Sequence, residues 1–111
     1  MAVTHAIDLN ADLGEDENAE GITRDLNIMH VISSCNIACG GHAGSAETMR
    51  RMLLAAKEEN VSAGAHPSYP DRKNFGRKAM DISKDALLVS LNTQICDIQR
   101  EAENLGCGLN H

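Results

Sequence analysis

Strand-like and helix-like stretches alternate three times along this chain, and that order constrains the fold more than any other feature. Ala6-Ile7-Asp8-Leu9-Asn10 is short and half apolar, with Ile7 and Leu9 on one face. It leads into an acidic loop from Asp12 to Gly21. Thr23 is placed to cap a short helix running to about His30, with Leu26 and Met29 three apart. Val31 to Ile37 reads as a second strand, and a glycine cluster at Gly40, Gly41 and Gly44 follows it. Ser45 is the expected N-cap of the next helix, in which Met49, Met52, Leu53 and Ala56 form a one-sided apolar stripe. Val61 to Ala65 is a third strand, and a loop containing Pro67 and Pro70 runs to about Ile82. Ser83 caps the last helix. Its Leu88, Leu91, Ile95, Ile98, Ala102 and Leu105 repeat at helical spacing until Gly106 ends it. This stripe, with Met49 and Met52, is expected in the core. Leu109-Asn110-His111 reads as the opening of a fourth strand. Strand followed by helix, repeated, is the pattern of parallel β/α units in an α/β fold. Three such units make neither a closed barrel nor a comfortable open sheet, because a strand is left exposed at each edge.

Composition removes whole classes of function. The 111 residues are one small domain at most, with 10 basic against 16 acidic residues and a net charge of −6. Such a balance repels a phosphate backbone. Tyr69 and Phe75 are the only aromatic residues, too few for a base-stacking platform, so nucleic acid is not an expected partner. The longest apolar runs, Met52 to Ala56 and Ala86 to Val89, cannot cross a bilayer, so no membrane is expected either. Met1-Ala2-Val3-Thr4-His5 has neither a basic start nor an apolar core, so no secretory signal is expected. Cys35, Cys39, Cys96 and Cys107 are therefore read as reduced thiols in a cytoplasmic protein.

The polar residues gather after the strands. Asp8, Asn10, Asp12 and Glu15 follow the first, Asn36 and His42 the second, and His66, Ser68, Asp71 and Arg77 the third. In parallel units all three sets share one rim, where carboxylates and imidazoles supply acid–base groups. Asp12 and Glu15 in an acidic loop also fit simple solvation. His42 stands out because Gly40-Gly41-His42-Ala43-Gly44 opens a helix, and such a loop allows close backbone approach and aims N–H groups at an anion. It is not a Walker A loop, since no Lys-Ser/Thr follows it. Two metal sets can be written: Cys35, Cys39, His42 and His66 as structural zinc, or Asp12, His42 and His66 as a hydrolase centre. Neither set is favoured over no metal.

Three motifs then stand in register. They are Ile7-Asp8-Leu9-Asn10-Ala11-Asp12-Leu13-Gly14-Glu15, Ser34-Cys35-Asn36-Ile37-Ala38-Cys39-Gly40-Gly41-His42-Ala43-Gly44, and Gly64-Ala65-His66-Pro67-Ser68-Tyr69-Pro70-Asp71 with Phe75-Gly76-Arg77. Across essentially all 111 residues the chain resembles the LamB/YcsF family, the A subunits of bacterial 5-oxoprolinases. The resemblance implies a partial (β/α)7 barrel like that of the polysaccharide deacetylase-like enzymes. It implies ATP-dependent hydrolysis of 5-oxo-L-proline (pyroglutamate) to L-glutamate, with Mg2+ accompanying the ATP and a bound metal left unassigned. It also implies two further subunits, B and C. By that analogy Asp12, His42 and His66 are catalytic, and Asn10, Glu15, Asn36, Gly44 and Arg77 bind substrate. Water activation falls to His66 or Asp12, charge stabilisation or protonation of the ring nitrogen to His42, and the substrate carboxylate to Arg77.

The chain departs from the family pattern at several positions. An aromatic residue is usual where Gly41 stands and Tyr where Thr93 stands, which implies a looser site wall and lost helix packing. Ala is common where Cys35 stands, and Gly where Asp16 and Cys96 stand. The family also continues past His111 with a Lys-Pro-His-Gly-x-Leu-Tyr-Asn strand and further units. The 111 residues are thus expected to be the N-terminal part of the barrel domain, inactive alone. Two other readings stay open: a non-catalytic remnant that binds the other two subunits, and a metal-dependent deacetylase-like hydrolase acting on carbohydrate.

Overall fold

The computed structural model of the protein describes residues 4–111, so the first three residues of the leader reading lie outside the described residues. Its elements are β1 (Asn10–Leu13), α1 (Ala19–Ile28), β2 (Ser34–Ala38), α2 (Ala46–Glu58), β3 (Ser62–His66) and α3 (Lys84–Leu105). The strands form one parallel sheet in the order β1-β2-β3, which is the expected alternation of β/α units. No helix among the described residues is long and apolar enough to cross a membrane.

The later elements begin and end where their caps stand. Ser45 caps α2 by accepting from the Thr48 amide, and the Thr48 hydroxyl accepts from the Ser45 amide in return. Ser83 accepts from the Ala86 amide at the start of α3, and Gly106 closes that helix in the left-handed region at φ 66°. The earlier elements are displaced from expectation. β1 starts at Asn10 rather than Ala6: the Leu9 amide donates to the Ser33 hydroxyl instead of to a strand carbonyl, and only the Leu9 carbonyl bonds main chain, accepting from the Ser33 and Ser34 amides. Ile7 and Leu9 are therefore exposed. α1 is capped by Asn18, whose side chain accepts from the Gly21 amide, so the helix takes the end of the acidic loop and leaves Thr23 inside it. β2 starts at Ser34, and Val31 lies in an exposed turn.

Residues alternate across a strand, and here the odd-numbered ones are apolar. Leu13, Cys35, Ile37 and Ala63 form the core with Met49, Met52, Leu53 and Ala56 of α2, which packs on β2 and β3. The α2 stripe is buried as expected. The α3 stripe is only partly so: Gln94, Ile98 and Ala102 are its buried residues, whereas Leu88 is 49% and Ile95 41% exposed. α3 packs chiefly on α2, so much of its apolar surface has no partner within these 111 residues.

All four cysteines are free. Burial pushes the Cys35 and Cys39 thiols up to about 11, which keeps them protonated and unreactive, while Cys96 is exposed. Iodoacetamide at neutral pH is expected to label Cys96 first and to reach Cys35 and Cys39 only on unfolding, as read by mass spectrometry. Leu53→Ala empties a fully buried position and is expected to cost about 2–5 kcal/mol in urea denaturation.

Candidate functional site

The even-numbered strand residues take the opposite face, and apart from Ala38 and Gly64 they are polar. Register pairs Asn10 with Ser34, Asp12 with Asn36, Asn36 with Gly64, and Ala38 with His66. The polar side chains form a directional ladder across β1 and β2. The Ser34 hydroxyl donates to the Asp8 carboxylate at 2.9 Å and accepts from the Asn10 amide at 2.8 Å. Asn36 Nδ2 donates to Asn10 Oδ1 at 2.7 Å and to Asp12 Oδ1 at 2.9 Å. A carboxylate only accepts, so this bond fixes which way the Asn36 amide points. Asn36 Oδ1 is then an acceptor, and His111 Nε2 donates to it at 2.8 Å. The Ser33 and Ser34 hydroxyls hold the Asp8 carboxyl below its ordinary value.

Above the ladder, at the C-terminal ends of the strands, four expected site residues converge. Glu15 follows β1, His42 follows β2, and His66 ends β3. Glu15 Oε1 lies 3.4 Å from His42 Nε2 and 3.8 Å from His66 Nδ1, and Asp12 Oδ1 lies 3.7 Å from the same His66 nitrogen. The two imidazole centroids are 4.7 Å apart, and the Phe75 ring stands edge-on to His42, also at 4.7 Å. His66 Nδ1 is buried and has no hydrogen-bond partner.

His42 is fully embedded, and its tautomer follows from its neighbours. The Ser68 hydroxyl donates to the Tyr69 carbonyl at 3.0 Å, so toward His42 Nδ1, at 2.9 Å, it is the acceptor. His42 therefore carries its proton on Nδ1 and turns Nε2 toward Glu15. Ser68 is in turn gripped by the buried Gln94 of α3. Gln94 Oε1 accepts from the Ser68 amide at 2.9 Å, and Gln94 Nε2 donates to the Ser68 carbonyl at 2.8 Å and the Ser90 hydroxyl at 3.1 Å. A Cβ at Gly41 would collide with the Gln94 side-chain amide. The site wall expected to be loose at position 41 is thus closed by Gln94. Thr93 is exposed, so a small residue there leaves no void.

The remaining expected residues stand apart. Gly44, at φ 86°, is buried against the neighbouring loop, and a Cβ there would meet the Gly14 carbonyl at 2.6 Å. Its own carbonyl accepts from Arg72, which also bonds the Gly40 carbonyl and Glu17. Gly44 thus joins two loops rather than lining the cluster. Arg77 is exposed, lies over the Phe75 ring at 5.4 Å, and pairs with no carboxylate among the described residues. One donor atom each from Glu15, His42 and His66 lies within 4.8 Å of the others. Cys35 and Cys39 take no part in that group. Gln94 and His111 were not legible as site residues, since neither lies in a motif, whereas Phe75 stands in the Phe75-Gly76-Arg77 motif without an assigned role. The one available signal for Gln94 was its polar side chain at i−4 to Ile98 on an apolar face.

A family model described as "LamB/YcsF family" matches residues 7–111. In Pseudomonas syringae pv. tomato, the 5-oxoprolinase A subunit numbered 3 is 42% identical over 106 residues, covering 96% of this chain and 41% of the relative. In Haemophilus influenzae, the 5-oxoprolinase A subunit is 49% identical over 89 residues, covering 80% of this chain and 34% of the relative. The crystal structure of a lactam utilization protein from Thermus thermophilus superposes with a TM-score of 0.86 at 36% identity, covering 96% of this chain and 43% of that one. The chain therefore spans only some two fifths or less of these relatives.

Gln94→Leu keeps the side-chain volume but strips both backbone partners from Ser68. It is expected to cost about 1–3 kcal/mol in urea denaturation. It should also free the His42 ring to sample its other tautomer, read from its imidazole nitrogen shifts in NMR spectra.

Proposed function

The chain belongs to the LamB/YcsF family, and we propose that it supplies the first β/α units of a 5-oxoprolinase A subunit that opens 5-oxo-L-proline to L-glutamate. The observation that carries this reading is the meeting of Asp12, Glu15, His42 and His66 at the strand ends. It is supported by the names of relatives at 42–49% identity, which also favour a lactam over a carbohydrate substrate. Opening the ring requires water to add to the lactam carbonyl and the carbon–nitrogen bond to break, with the nitrogen gaining a proton. His66 Nδ1, buried and unpartnered beside Asp12, is the base for that water. Asp12, held by Asn36, lies beside the same nitrogen and stabilises the positive charge formed when it takes the proton. His42 with Glu15 places positive charge where the carbonyl oxygen becomes negative and delivers the proton to the nitrogen. Asn10 and Asn36 provide amide contacts for the ring, and Arg77 takes the substrate carboxylate.

ATP is part of this proposal, but the described residues do not fit a triphosphate. The α2 N-terminus is closed by its own capping box, and the glycine loop is filled by Gly14 and Arg72. ATP and its Mg2+ are therefore assigned to another part of the assembly, which includes subunits B and C. The exposed apolar surface of α3, at Leu88, Val89 and Ile95, suits a covering β/α unit of a larger (β/α)7, deacetylase-like barrel. We assign the 111 residues to the N-terminal part of that barrel domain, with a cytoplasmic location that suits four free thiols.

The test is glutamate release from 5-oxoproline and ATP by the full-length protein containing these residues, assembled with its partners. Asp12→Asn, His42→Ala and His66→Ala are each expected to slow turnover by about 10²–10⁴-fold. Unchanged turnover in all three would overturn the assignment. The 111 residues alone are expected to release no glutamate.

A further inference from the structure

We propose that Glu15, His42 and His66 bind a divalent transition-metal cation of the zinc class at the centre of the rim. The first argument is the direction of the lone pairs. Ser68 holds the proton of neutral His42 on Nδ1, so Nε2 presents a lone pair to Glu15 Oε1 at 3.4 Å. His66 Nδ1 is buried without a partner and faces Glu15 Oε1 at 3.8 Å and Asp12 Oδ1 at 3.7 Å. His42 Nε2 and Glu15 Oε1 both present lone pairs to that point, and His66 Nδ1 beside them has no hydrogen-bond partner. A positive charge at their shared focus resolves the arrangement, and two neutral imidazoles with a carboxylate are a ligand set for zinc-class cations.

The second argument is distance. Tetrahedral ligands with bonds of about 2.0–2.1 Å stand about 3.3–3.4 Å apart. The separations of 3.4 and 3.8 Å from Glu15 Oε1 come close to that edge before any adjustment. The third is support behind the ligands. His42 is fixed by Ser68, and Ser68 by Gln94, which is the kind of outer hydrogen bonding that orients metal-binding imidazoles. The set differs from both metal sets written from the sequence, because the carboxylate is Glu15 and neither cysteine contributes. Asp12 stays beside His66, tied to Asn36.

The inference deepens the reading of the same rim, but it rests on the geometry of three side chains and not on the identity of the substrate. In the reaction, the cation would carry the positive charge otherwise carried by a proton on His42, and with His66 Nδ1 committed to the metal the base for water would be Asp12.

Uptake of Zn2+ and Co2+ by the untagged, chelator-treated 111-residue protein tests it. About one equivalent of either metal is expected, with a raised melting temperature. The Co2+ form should show visible d–d bands and no thiolate charge-transfer band. Glu15→Gln and His66→Gln, checked for folding by circular dichroism, should each weaken uptake by about tenfold or more. His30→Gln, on the surface, should leave it unchanged. No uptake of either metal overturns the proposal, as does uptake that survives both ligand variants or shows thiolate bands. If the metal binds but the catalytic variants keep releasing glutamate, the lactam reading fails and the metal site stands. If no metal binds and those variants lose turnover, the reverse holds.

Discussion

Side-chain alternation along three short parallel strands is the constraint on which the rest of the structure depends. One register shift would exchange the two faces of the sheet. The odd-numbered residues Leu13, Cys35, Ile37 and Ala63 supply the apolar wall that α2 covers. The even-numbered residues Asn10, Asp12, Ser34, Asn36 and His66 supply the polar wall that carries chemistry. Parallel sheets are normally apolar on both faces because both are covered. Here the second face satisfies its polar groups through a ladder running from Asp8 to Asp12 and His111. That ladder satisfies most of its polar groups within the sheet and leaves exposed amides and carboxylates along it.

The rim depends on a second layer of contacts from outside the strands. His42 is useful only if its ring presents Nε2 to Glu15, and that orientation comes from Ser68 in the loop after β3. The loop has no regular structure of its own to fix Ser68. It borrows rigidity from α3, where Gln94 bonds both the amide and the carbonyl of that residue. Arg72 ties the same loop to the Gly40 and Gly44 carbonyls and to Glu17. The three loops therefore act as one body. A glycine at position 41 belongs to this arrangement, because any side chain there would collide with Gln94 as placed.

Much of this was legible in the sequence because it rests on local signals. Ser45, Ser83 and Gly106 are capping residues whose chemistry works within one helical turn, and they fell where expected. The order of β/α units followed from periodicity, and the three motifs pointed to Asp12, Glu15, His42 and His66. Where the expectation failed, a long-range partner made the decision. Ile7 and Leu9 look like strand residues, but the Leu9 amide bonds the Ser33 side chain in place of a strand carbonyl. Asn18 took the helix start from Thr23 because the acidic loop supplied a better cap one turn earlier. The α3 stripe looked like core, but a stripe is buried only where something packs on it: Ile98 and Ala102 are buried and Leu105 packs partly against the core, while Leu88 and Ile95 stay exposed. Gln94 was invisible because its role is defined by backbone groups 26 residues away.

The electrostatics of the rim sharpen what it can accept. Asp8, Asp12 and Glu15 bring three carboxylates to one sheet edge of a chain already at −6. The 5-oxoproline proposed as substrate carries a carboxylate of its own, and phosphorylation would add further negative charge. Bare, this edge repels such a ligand. The Ser33 and Ser34 hydroxyls and the Asn36 amide bond two of the carboxylates but neutralise none of them. Binding an anion therefore requires cationic charge at the rim. Two positions that can supply it are Arg77, whose guanidinium has no carboxylate partner among the described residues, and the focus of Glu15, His42 and His66. Arg77 lies beyond Phe75, on the outer side of His42, which suits it to the remote carboxylate of a substrate. The three-residue focus lies at the strand ends, which suits it to the reacting carbonyl. On the proposed reading, anion binding and ring opening would thus place the same demand on the Glu15–His42–His66 focus: a positive charge held between a carboxylate and two imidazoles.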